Sequence, residues 1–156
     1  MNFDEPCALD HGLLLAQITQ LSLKRDVAVP VYDFSCHTRA PRATTVPAGD
    51  FVVIEGLFAL YWREIRDLMG TKVYVTAEDP VCFRRRLERD VTERGRSPES
   101  VVHQYEQTVR PMAERYVIPT HAFADLIVSG VDLIEHSSAL VLDHIERTRI
   151  PLAANQ

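Results

Sequence analysis

The sequence predicts an α/β domain of three layers, helices on both faces of a parallel sheet. Three observations carry this. The β-branched run Phe51-Val52-Val53-Ile54 ends in Glu55-Gly56, as a strand buried on both faces does. Short apolar runs at 72–76 and 125–128 alternate with helix-type segments, the alternation that builds parallel sheets. The chain has 156 residues, enough for a single domain, 1–156, with a real core.

Taken in order, Asp10 caps a helix that runs to about Leu23. Leu14, Ile18 and Leu21 fall on one face of it. Residues 27–34 are extended, and Pro30 confines them to an edge or an irregular strand. A polar loop follows from Ser35 to Asp50, broken by Pro41, Pro47 and Gly49. The core strand is 51–56. A short helix spans Leu60 to Leu68, and the next strand Lys72 to Thr76. Asp79 caps a helix with Pro80 at its first position, and Gly95 stops it after Arg94. Ser97-Pro98-Glu99 starts another, running to about Tyr116 with a kink at Pro111. Residues 79–118 are thus Arg-rich and helical. A strand at Asp125–Val128 and an amphipathic helix from Ser137 to Arg147 close the chain.

Composition narrows the function classes. Hydrophobic residues make up 46% and charged residues 25%, as in an ordinary globular protein. A net charge of −5 argues against bulk nucleic-acid binding while permitting a local basic cluster. Three cysteines without a CxxC pair fit a reduced, cytoplasmic setting. No apolar run approaches the roughly 18–20 residues of a membrane span, and the acidic start Met1-Asn2-Phe3-Asp4-Glu5 lacks a signal-peptide pattern.

Four places carry candidate chemistry. Glu55 ends a strand of a parallel sheet, where ligands bind; the alternative is a hydrated carboxylate at a strand–loop junction. Asp4 lies in a turn before a helix. It either accepts two hydroxyls of a ligand or closes an Asx-turn. In Pro30-Val31-Tyr32-Asp33-Phe34-Ser35-Cys36-His37-Thr38-Arg39, Tyr32 and Phe34 share a face. They suit the stacking of a flat ring whose polar edge His37 and Arg39 reach, or else belong to a half-buried strand with a surface histidine. Arg85, Arg86, Arg89, Arg94 and Arg96 gather along one helix and its end. They clamp phosphate or form a solvated, ion-paired face with Glu88, Asp90 and Glu93. HExxH, GxSxG and zinc-ligand spacings are absent from the sequence.

In their order and spacing, these stretches resemble the uridine kinase family, the uridine/cytidine kinases related to phosphoribulokinases. The residues that carry the resemblance are Asn2-Phe3-Asp4-x-Pro6-x-Ala8-Leu9-Asp10, the 30–39 segment, Ile54-Glu55-Gly56, Arg85-Arg86-x-x-Arg89-Asp90-x-x-Glu93-Arg94-Gly95-Arg96, Gln104-Tyr105 and Val109-Arg110-Pro111-Met112. The resemblance implies a P-loop kinase-like fold and ATP-dependent phosphorylation of uridine or cytidine to UMP or CMP, a step of pyrimidine salvage. It implies ATP and Mg²⁺ as cofactors. Position by position, Asp4 would hold the ribose hydroxyls, Tyr32 and Phe34 the pyrimidine, and His37 its edge. Arg86, Arg96 and Gln104 would also contact the nucleoside. Arg89 and Arg94 would act on the phosphates, and Glu55 would sit beside the magnesium ion.

The departures are as informative. The family's first strand, its P-loop GxxxxGK[ST] and its first helix have no match here, nor does the Asp-Ser-Phe-Tyr-like segment with the catalytic base. A Pro-Arg-Gly turn of the family is reduced to Ser129-Gly130, and Cys82 stands where relatives carry a charged residue. The expectation is therefore a nucleoside-binding half with its lid, transferring phosphate poorly by itself. A non-catalytic nucleoside-binding module is the alternative. So is a homo-oligomer that pairs the sheet edges left without their central strand. A sugar-phosphate kinase of the phosphoribulokinase type fits the aromatic pair less well than a nucleoside kinase does.

Overall fold

A computed structural model describes residues 2–33 and 38–148. The sequence expectations for Phe34, Cys36 and His37 lie outside the described residues. The chain divides into two compact units, Phe3–Met69 and Gly70 onward, taken in turn below.

In the first unit, a short 3-10 turn (Pro6–Ala8) leads into helix α1 (His11–Ser22). The expected cap forms: the Asp10 carboxylate accepts from the Leu13 amide at 3.0 Å. Strand β1 (Val27–Asp33) follows and pairs antiparallel with β2 (Thr38–Val46). The region read as a polar loop therefore holds a strand. Nearly every residue of β2 is exposed, so it lacks the apolar alternation that marks a strand in sequence. Pro30 sits at the irregularity in the register between Pro30 and Tyr32, as a residue without a ladder donor should. Ile18, Leu21, Val27, Phe58, Leu60 and Ile65 form the buried core. Helix α2 is a single turn, Arg63–Arg66, shorter than expected.

The segment expected to be the core strand is not one. Residues 51–55 are irregular, and no strand pairs with them among the described residues. Phe51 is 61% and Val53 88% exposed. A β-branched run becomes a strand when a neighbouring ladder pairs with it and covers its side chains; among the described residues no ladder forms on this run.

The second unit holds the parallel sheet. Strands β3 (Val73–Thr76) and β4 (Leu126–Ser129) pair in parallel, Val73 opposite Leu126. This is mixed α/β architecture with a two-stranded parallel sheet. Asp125 anchors its start, accepting from the Lys72 amide at 2.8 Å and pairing with Lys72 Nζ at 3.0 Å. At its other end the Gly130 amide bonds Thr76 O at 2.7 Å, and a Cβ on Gly130 would meet Val75 Cγ1 at 3.1 Å. Helix α6 (Ile134–Thr148) packs on β4.

Helix α3 (Asp79–Thr92) starts with Pro80 in its first turn, but its cap is Glu78, not Asp79. Helix α4 (Pro98–Gln104) is capped by Ser97, whose hydroxyl accepts from the Ser100 amide at 3.2 Å. The helical path then widens into π-turns at Tyr105–Val109 and Ala113–Val117, on either side of α5 (Arg110–Met112). Pro111 lacks the amide that a regular α ladder requires, and the wider turns accommodate it.

Candidate functional site

The first unit contains a cleft of about 310 Å³. Helix α1 supplies Leu13, Leu14 and Gln17, strand β1 Pro30 and Tyr32, and the 54–59 stretch Ile54, Glu55 and Phe58. Trp62 completes the wall. Its ring stacks on His11 at 5.0 Å and meets Phe58 and Tyr61 edge-on at 6.2 and 5.5 Å. Such mutual packing fixes ring orientations, so the wall is preformed.

Asp10 and Arg39 also line the cleft and form an ion pair at 2.8 Å. The Arg39 guanidinium, with the Leu13 amide, holds the Asp10 carboxyl below the ordinary carboxylate range. Arg39 is thereby committed to the helix cap, a role the sequence reading did not foresee.

Of the expected site residues, the cleft brings together Tyr32 and Glu55. Asp4 is half-buried in the turn before Pro6 and is not among the lining residues. The sequence reading missed Trp62 and Asp10. Trp62 is the single tryptophan of the chain and follows the Glu55 segment closely, which is the signal that could have found it.

In the second unit the arginines converge on one buried carboxylate. Asp90 is 0% exposed. Its Oδ1 accepts from Arg89 Nε at 3.0 Å and lies 2.9 Å from Arg89 Nη2 and 3.3 Å from Arg94 Nη1. Its Oδ2 lies 3.3 Å from Arg96 Nη1 and 3.6 Å from Arg86 Nε. Burial alone would raise the Asp90 carboxyl, but the hydrogen bond and charge of Arg89, with Arg86 and Arg94, outweigh it and hold it low. Gln104 Oε1 ties the deeper pair, accepting from Arg96 at 2.5 Å and Arg86 at 3.4 Å.

The local fold explains the convergence. Arg86 and Asp90 are one helical turn apart. Beyond α3, Gly95 takes a left-handed φ of 63° and the Arg96 amide returns to Asp90 O at 3.1 Å, a reversal that glycine permits. That reversal folds Arg94 and Arg96 back over the helix end. Arg85 departs from the expected face and donates to Gly130 O at 2.9 Å.

A second polar knot was not anticipated. Tyr105 donates to Asp79 Oδ1 at 2.5 Å, and Arg110 donates to Asp79 Oδ2 at 2.9 Å while lying over the Tyr105 ring at 5.3 Å. The Tyr105 bond, more than Arg110, holds the Asp79 carboxyl low against its burial. Burial and the Asp79 bond push the Tyr105 hydroxyl well above its usual value.

Among the described residues no three His, Cys, Asp or Glu side chains converge on a metal position. Glu55 offers one hard oxygen donor in the cleft. That suits magnesium, which commonly takes one or two carboxylates together with substrate phosphates and water. The arginine surface suits the charge of a polyphosphate, while the amide cradle of a GxxxxGK[ST] loop has no counterpart in the sequence.

The parallel β3–β4 pair and the helices make this a mixed α/β protein, with an aromatic-walled cleft in its first unit and an arginine cluster at the end of α3 in its second. Residues 1–135 match the phosphoribulokinase/uridine kinase family, and the chain belongs to that family. It is 45% identical over 128 residues to a uridine kinase of Lactobacillus helveticus, covering 82% of this chain and 61% of that protein. It is 48% identical over 127 residues to a uridine kinase of Deinococcus deserti, with 81% and 61% covered. A uridine-cytidine kinase A of Dictyostelium discoideum is 42% identical over 127 residues, 81% of this chain and 26% of that protein. The chain thus spans about three fifths of the bacterial relatives it matches.

Proposed function

We propose that these residues form the nucleoside-binding part and lid of a uridine kinase-type phosphotransferase. The observation that carries this reading is the cleft in which Tyr32 and Glu55 face a common space. A pyrimidine nucleoside, uridine or cytidine, presents a flat ring and a polar ribose, and aromatic walls with a few polar groups take such a ligand. Tyr32, with Phe34 and His37, holds the base, and Asp4 holds the ribose hydroxyls. Glu55 would hold magnesium, which would supply positive charge to the phosphates. Arg86, Arg96 and Gln104 contact the nucleoside, and Arg89 and Arg94 stabilise negative charge on the phosphates. ATP, when bound with Mg²⁺, supplies the phosphoryl group.

Without a GxxxxGK[ST] loop, the phosphate cradle and its metal-binding hydroxyl are missing, and with them most of the positioning that drives phosphoryl transfer. The 156 residues by themselves therefore bind nucleoside and transfer phosphate slowly. Labelled Mg-ATP and uridine, incubated with the pure chain, test this. UMP formation far below the kinase range of about 1 s⁻¹ or more is expected; a rate within that range contradicts it.

The exposed 51–53 run favours a second reading, a module that associates through this stretch. Light scattering separates the two, since the first reading allows a monomer and the second does not.

A further inference from the structure

We propose that Asp90 is a positioning residue that fixes Arg86, Arg89, Arg94 and Arg96 in one cluster and so presents its outer pair, Arg89 and Arg94, to a polyanion. The inference rests on the lid reading above and adds to it the group that gives the lid its shape. Four guanidinium groups on one helix end repel one another and, with their long side chains, would spread into solvent. Asp90 is fully buried beneath them and contacts all four between 2.9 and 3.6 Å. One carboxylate cannot neutralise four cations, so the surface keeps an excess of positive charge. Its contacts also divide the four. Arg86 and Arg96 are the deeper pair, held in addition by Gln104. Arg89 and Arg94 are about half exposed and retain donors for an incoming anion.

This arrangement gives the test a sign. If only net charge mattered, removing the Asp90 charge would make the surface more positive and strengthen anion binding. If Asp90 positions the arginines, removing it weakens binding despite the gain in positive charge. The experiment is calorimetric titration of the full chain and of Asp90→Asn with inorganic tripolyphosphate. Circular dichroism reports whether the variant keeps its fold. The expected result is binding by the wild type and a loss of roughly tenfold in Asp90→Asn, the equivalent of one charge-assisted hydrogen bond. Equal or tighter binding by Asp90→Asn overturns the positioning role while leaving the lid reading intact. No binding by the wild type overturns the lid reading, and the positioning role with it. If Asp90→Asn does not fold, Asp90→Glu decides. It keeps the charge but displaces the carboxylate by a methylene, so positioning predicts a similar loss and charge balance predicts none.

Discussion

At the scale of residues, buried or shared carboxylates organise this molecule. Asp10 caps α1 and pairs with Arg39, Asp79 joins Tyr105 to Arg110, and Asp90 gathers four arginines. Each carboxyl is held below its ordinary value. A carboxyl lowered on folding stabilises the native state above its unfolded value near pH 3.8 and loses that contribution as pH falls through the native value. Acid should therefore weaken the fold below about pH 4. Tyr105→Phe removes the main cause of the Asp79 shift. It should cost about 1 kcal/mol at neutral pH and lose less than the wild type on going to about pH 3. Urea midpoints at the two pH values measure both quantities. An equal acid loss in the two proteins would mean that the bond to Asp79 contributes nothing. Ser97→Ala, removing the cap of α4, should likewise cost about 1 kcal/mol, read from the thermal midpoint.

At the scale of elements, the sequence was most legible where local signals act alone. The caps at Asp10 and Ser97, the stop at Gly95 and the disturbance at Pro111 all lie where turn and capping chemistry places them. Strands were harder, because a strand depends on its neighbour. Thr38–Val46 pairs with β1 despite its polar, exposed character, while the apolar 51–55 run joins no strand ladder among the described residues and stays irregular. The arginine cluster was visible as spacing, yet the role of Asp90 was hidden, since burial beneath four side chains is a tertiary property. The same logic yields a prediction for 51–55. Val53 is 88% exposed, so Val53→Lys should change folding stability by no more than about 0.5 kcal/mol. It should also diminish any self-association seen by light scattering. Marked destabilisation of the monomer would mean that the residue is buried in solution.

At the scale of the whole molecule, the fold and the family were legible because several weak motifs occur in one order, and the parallel β3–β4 pair and the family match agree with them. The candidate cleft was legible in part. Tyr32 and Glu55 come together, whereas Trp62 and the Asp10–Arg39 pair emerged from packing. Under the proposed function, a working nucleoside site persists in these residues without a GxxxxGK[ST] loop. Calorimetric titration of the pure chain with uridine, repeated with Asp4→Ala, is the decisive measurement. Saturable uridine binding by the wild type and its loss in the Asp4→Ala variant are expected. A wild type that takes up no uridine would contradict the proposed function.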